Sequence, residues 1–176
     1  MKKLLQTPSQ TVGPYFAYGL TPEQYLYDFK TISADSSTYP PDARLTAFTG
    51  RVFDGKGSLI PDAMIELWQN DGQRRYFSRC GTGTDPLNRF VFQIQKPLPV
   101  DGRAPFVTLI VMMRGQLIHS FTRAYFSDEP EWNEKDEVLN SVPASRRSTL
   151  IAQKDDLGYY FDIFMQGENE TVFFEI

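Results

Sequence analysis

The sequence predicts a mainly β protein: a single-domain β-sandwich with an irregular N-terminal arm and one short helix. Three observations carry this expectation. Twelve glycines and twelve prolines in 176 residues interrupt the chain too often for long helices. Between the interruptions lie short apolar runs, some alternating and some continuous, as in strands with one or two covered faces. Turn-forming segments such as Asp54-Gly55-Lys56-Gly57 and Asn70-Asp71-Gly72 join these runs. The length is enough to bury a core without covalent staples.

Residues 1–43 form the arm. Pro8, Gly13, Pro14, Gly19, Pro22, Pro40 and Pro41 leave room for a short helix near 22–29 only. Its aromatic residues, among them Tyr15, Phe16, Tyr18, Tyr25 and Tyr27, suit a segment lying across its own domain or a partner. Residues 44–176 form the sandwich. Strands are expected at 46–53 and 64–69, each followed by one of the turns above. Phe90, Phe92 and Ile94 alternate with Val91, Gln93 and Gln95, which predicts one buried face. The run 106–113 is apolar on both faces and reads as a central strand, with 116–126 as its antiparallel neighbour across Arg114-Gly115. Strands at 159–165 and 171–176 flank the turn Gly167-Glu168-Asn169-Glu170. The one helix of this part falls at 143–154, with Ser141 as its N-cap.

Composition excludes several functions. Eighteen Lys+Arg against 22 Asp+Glu give a net charge of -4, with no extended basic run, which argues against nucleic acid or an anionic membrane as partner. An anionic ligand must therefore be met by a local arginine. The lone Cys80 excludes an internal disulfide and a cysteine-based zinc site, and the lone His119 excludes any site needing two histidines of this chain. The opening Met1-Lys2-Lys3-Leu4-Leu5 stops at Gln6 and Pro8, short of a signal peptide, and no run has transmembrane length, so a cytoplasmic location is expected.

Three residues invite chemistry, each beside an ordinary reading. Tyr76, after Arg74-Arg75, suits a phenolate ligand or an acid/base, or a packed loop tyrosine. Arg114 suits an anion-binding cation, or a hairpin arginine in water or a salt bridge. His119 suits a functional imidazole or a structural histidine within a strand.

Longer runs are more specific. Thr7-Pro8-Ser9-Gln10-Thr11-Val12-Gly13-Pro14-Tyr15, Ile65-Glu66-Leu67-Trp68-Gln69, Thr122-Arg123-Ala124-Tyr125-Phe126 and Gln166-Gly167-Glu168-Asn169-Glu170-Thr171 occur in the order found in the intradiol ring-cleavage dioxygenases, which this chain resembles almost end to end. That resemblance implies a sandwich fold and a ferric iron held by two tyrosines and two histidines. Residue by residue, Tyr76 matches the first tyrosine, and Lys96-Pro97-Leu98-Pro99 matches the turn before the second, where Val100 stands instead. Arg103-Ala104-Pro105 matches the entry to the histidine strand, but Phe106 and Thr108 replace both histidines. One vestigial ligand position of four cannot hold the ion, so no metal and no catalytic residue are expected on this chain.

The resemblance then implies an iron-free, α-type chain paired in a hetero-oligomer with an iron(III)-bearing β subunit. The pair would cleave protocatechuate to 3-carboxy-cis,cis-muconate with O2 at a pocket on their shared surface. Thr11, Gly13, Pro14 and Tyr15 match arm positions bordering substrate, and Arg114 matches a cation that offsets the ring carboxylate. Arg103 and Gln93 would fill the metal-free position, Arg123 would hold strands or an interface, and Cys80 would be structural. The competing expectation is a stand-alone binding or structural module derived from the same family.

Overall fold

The computed structural model describes residues 16–28, 39–70, 72 and 74–175. Among the described residues nine strands run β1 (Leu45–Phe53), β2 (Met64–Asn70), β3 (Arg75–Gly81), β4 (Arg89–Gln95), β5 (Phe106–Met112), β6 (Ser120–Phe126), β7 (Ile151–Lys154), β8 (Gly158–Tyr160) and β9 (Ile163–Phe164). Their lateral order is β3-β2-β5-β6-β7-β8-β1-β4, with β9 beside β1. The path folds into two facing leaves. Ile65, Leu67, Val107, Leu109, Val111, Ala124 and Phe126 of one leaf meet Phe48, Val52, Phe90, Phe92, Ile94 and Tyr159 of the other in one buried core.

The alternation in β4 is realised: Phe90, Phe92 and Ile94 are buried, while Val91 and Gln93 face out. Strand β5 lies centrally between β2 and β6, as its apolar run predicts. The Asp54 turn forms because its Oδ1 accepts from the amides of Lys56 and Ser58, both at 2.8 Å.

Several expected elements differ. The stretch 143–154 is not one helix: Ala144–Leu150 is 3₁₀ and Ile151 begins β7, paired with Tyr125 to link the two leaves. The helical residues lie earlier, in α2 (Pro130–Asn133) and α3 (Glu137–Ser141), and the cap is Asp136, with Ser141 ending α3. The expected strand 159–165 splits into β8 and β9 around Asp162, whose Oδ1 accepts from the Arg51 amide at 3.0 Å in place of a backbone carbonyl; the chain crosses Gly50 so closely that a Cβ there would sit 1.9 Å from the Phe161 carbonyl oxygen. At 171–175 a lone bridge from Phe174 to Phe121 replaces a strand, and the Thr171 and Thr122 hydroxyls supply bonds that a ladder would make. Strand β3, which the sequence reading leaves as loop around Tyr76, is held by its full-length pairing with β2. Strand β6 starts at Ser120, because Gln116 accepts from the Met113 amide and donates to Ser120 Oγ, which places His119 in an exposed turn.

The described part of the arm comprises α1 (Phe16–Leu20) and a 3₁₀ turn, Glu23–Tyr25, in place of a helix over 22–29; Leu26 ends the turn at φ 62°. Gln24 clamps it to the edge strand: its Nε2 donates to the Gly81 carbonyl at 2.6 Å and its Oε1 accepts from the Gly81 amide at 2.8 Å. Arg79 donates to the Leu20 carbonyl and pairs with Glu66 at 2.7 Å. Among the described residues no helix is long and apolar enough to cross a membrane.

Candidate functional site

The chemistry-bearing residues gather at the two ends of β5, separated by roughly 20 Å at ~3.3 Å per residue. At the first end, Trp68 stands opposite Thr108 on one side and Phe77 on the other. The period of two therefore puts Asn70, Arg75, Phe106 and Thr108 on the same outward face. The turn after Pro97 folds over this face through Asp101 at φ 52° and Gly102 at φ 75°, closed by the Arg103 amide donating to the Val100 carbonyl. Between turn and face lies a cavity of about 240 Å³, lined by Val100, Phe106 and Thr108 together with Arg75, Arg103 and Trp68.

Three positions at which the family resemblance predicts lost ligands thus share one cavity. Tyr76 does not join them. It pairs with Gln69 on the opposite face of the leaf, is 3% exposed, and stacks on Tyr39 with ring centroids 4.4 Å apart. Tyr39 donates to Gln69 Oε1, and burial pushes its phenol up to about 12. Gln93 lies exposed on β4, in the other leaf, and does not line the cavity. The donor chemistry does not fit ferric iron, since Val100 and Phe106 carry no donor and Thr108 offers a neutral hydroxyl. Among the described residues no three His, Cys, Asp or Glu side chains are grouped as a metal would require.

Two polar networks hold this end in shape. Lys96, at the head of the turn, pairs with Asp128 and Glu129, and Asp128 also accepts from Lys154 and from the Tyr159 hydroxyl at 2.9 Å. Partial burial pushes the Asp128 carboxyl up, but hydrogen bonds from Lys154, Lys96 and Tyr159 outweigh it and hold the group at about 2. Asp136, 1% exposed, accepts from the Ala104 amide, the Tyr125 hydroxyl and the Leu139 amide. It ties the cap of α3 to the entry of β5, and the sequence reading missed it; an aspartate just before Glu137-Val138-Leu139 is the N-cap signal that would have found it. Arg123 lies with its guanidinium 4.4 Å from the Phe106 ring centroid.

At the second end Arg114 follows β5, 59% exposed, with Nε 2.9 Å from Asp62 Oδ2. The ordinary reading, a salt bridge, describes its contact within this chain. Asp62 also acts electrostatically on Tyr25 of the arm, whose phenol is raised chiefly by burial. Tyr25 and Gln24 dock beside Gly81 and Gly83, and Gly81 pairs with Met64, which pairs with Met112. The described arm and Arg114 therefore share one end of the sandwich. Asp62 was not singled out in the sequence, where nothing but a Pro61-Asp62 turn marks it. Cys80 accepts weakly from Gln24 and from the Val91 amide, and burial pushes its thiol up, away from reactivity. Thr11, Gly13, Pro14 and Tyr15 lie outside the described residues.

This architecture recurs in solved structures. An intradiol ring-cleavage dioxygenase from Tetranychus urticae matches with a TM-score of 0.54 at 14% identity, over 73% of this chain and 86% of that one. Chlorocatechol 1,2-dioxygenase from Pseudomonas putida matches with a TM-score of 0.53 at 18% identity, over 73% of this chain and 62% of that one. The fold is that of the intradiol dioxygenases. No protein-family model matches the chain. Its sequence is 47% identical to the protocatechuate 3,4-dioxygenase alpha chain of Burkholderia cepacia, over the whole of both chains. It is 35% identical to the protocatechuate 3,4-dioxygenase alpha chain of Pseudomonas putida, over 98% of this chain and 97% of that one. This chain belongs to the family of protocatechuate 3,4-dioxygenase alpha chains.

Proposed function

We propose that this chain is the iron-free α-type subunit of a cytoplasmic protocatechuate 3,4-dioxygenase, working beside an iron(III)-bearing β subunit. The complex cleaves protocatechuate between its two hydroxyl-bearing carbons and incorporates both atoms of O2 to give 3-carboxy-cis,cis-muconate. The oxygen chemistry belongs to the partner's iron. This chain contributes walls and charge: Thr11, Gly13, Pro14 and Tyr15 of the arm border the substrate, and Arg114 offsets the ring carboxylate. A guanidinium matches a carboxylate in shape and charge, and in a chain of net charge -4 it makes local attraction where the overall field repels.

The observation that carries this reading is that Tyr25 of the described arm and Arg114 lie at one end, near Asp62, while the replaced ligand positions lie at the other. Leu117 and Ile118, 61% and 76% exposed in the turn beside Arg114, add apolar surface of the kind a partner covers. Co-expression with an iron-bearing homologue tests it. The two chains are expected to purify together. Arg114→Ala in the complex should then raise KM for protocatechuate by about tenfold, the loss of one charge-assisted contact, and leave KM for catechol unchanged. A stable monomer that ignores such a partner would favour the stand-alone module, and an unchanged KM would remove Arg114 from the pocket.

A further inference from the structure

We propose that the pocket at the replaced ligand positions is a binding site in its own right, for a single-ring aromatic monocarboxylate of the benzoate type. Val100, Phe106 and Thr108 border an open pocket of about 240 Å³ on the outward face of the leaf, room for one ring.

The lining specifies the ligand. Trp68 and Phe106 supply aromatic walls, and Leu98 and Val100 an apolar cover, which suits one flat ring. Arg75 and Arg103 also line the pocket, both exposed, and neither takes part in an ion pair among the described residues. The other lining charge, Asp101, stands on the left-handed turn residue and leaves the cations in excess. Arg123 adds positive charge behind Phe106, and its Nη1 is buried without a hydrogen-bond partner among the described residues. Aromatic side chains and two guanidinium forks in one lining match a ring bearing one carboxylate. The site lies at the opposite end of β5 from Arg114 and involves residues of this chain alone.

The test uses the full chain without any partner, so its outcome is independent of the subunit reading. Trp68 lines the cavity and Trp132 lies on α2, so in a Trp132→Phe background the indole fluorescence reports on the cavity. Titration with benzoate should change that fluorescence saturably, whereas acetate and phenol, each offering half of the recognition, should not saturate in the same range. Arg75→Gln and Arg103→Gln should each weaken benzoate by about tenfold. Val100→Phe, which fills the space, should abolish binding while the melting temperature holds or rises. Saturation-transfer NMR on the same samples detects benzoate whether or not the fluorescence responds. No saturable binding by either method overturns the proposal, as does equal binding of acetate or an unaltered titration in the Val100→Phe protein.

Discussion

The two ends of β5 are built on opposite plans. The cavity end is braced around an open pocket: Lys96, Asp128, Glu129, Lys154 and Tyr159 form one network, Asp136 ties three elements together, and Arg123 lies over Phe106. At the arm end, among the described residues, Gln24 binds Gly81 and Thr84, Arg79 reaches Leu20, and a mostly exposed Arg114 pairs with Asp62 next to bare Leu117 and Ile118. A scaffold can keep its shape after losing its metal donors when the network that positions them is separate from the donors themselves. An end that sets a cation beside exposed apolar groups has the character of a surface completed from outside.

Breaking each end in turn sharpens that contrast. The largest effect is expected from Arg79→Ala. It leaves Glu66 nearly buried without its cation, and urea unfolding should show a loss of about 3 kcal/mol. A loss comparable to that of a surface pair would mean that water already screens Glu66. Gln24→Ala removes both amide bonds to the edge of β3 and should cost about 1–2 kcal/mol. Its clearer signature is local: the Gly81 amide should exchange faster and the arm should be cut sooner by protease, with β5 unaffected. If the arm stays protected, something other than Gln24 anchors it.

A smaller effect belongs to pH at the cavity end. The Asp128 carboxyl sits lower in the folded chain than its ordinary value, at about 2, so its contribution is complete above pH about 4 and is lost as pH falls toward 2. Asp128→Asn should flatten the fall in melting temperature over that window, by an amount typical of a partly exposed pair, about 1 kcal/mol or less. Identical acid profiles for the two proteins would show that the network is worth nothing in solution.

Much of the fold was legible because its signals are local. Strands β1, β2, β4 and β5 carry their own alternation or apolar runs, and Asp54 and Gly72 mark turns with residues suited to them. Strand β3 was not legible, since Arg75–Gly81 mixes cations, Ser78 and Cys80, and its extended state comes from pairing with β2. Residues 143–154 misled because the residues that end a helix and begin β7 are chosen by what Ile151 and Ala152 must pair with across the sandwich.

The candidate site divides in the same way. That Val100 and Phe106 carry no donor and Thr108 only a neutral hydroxyl is a property of their atoms, and the sequence alone decided it. Which residues face one another is a property of register. Tyr76 turns away from the cavity because its partner is Gln69, and one step along β3 would have sent it the other way. Likewise, only the folded chain brings Asp62 to Arg114 and Asp136 to Ala104, pairs that are 52 and 32 residues apart. Side-chain chemistry is written residue by residue, whereas strand pairing, facing and reach depend on contacts between distant segments, and those exist only once the two leaves have closed.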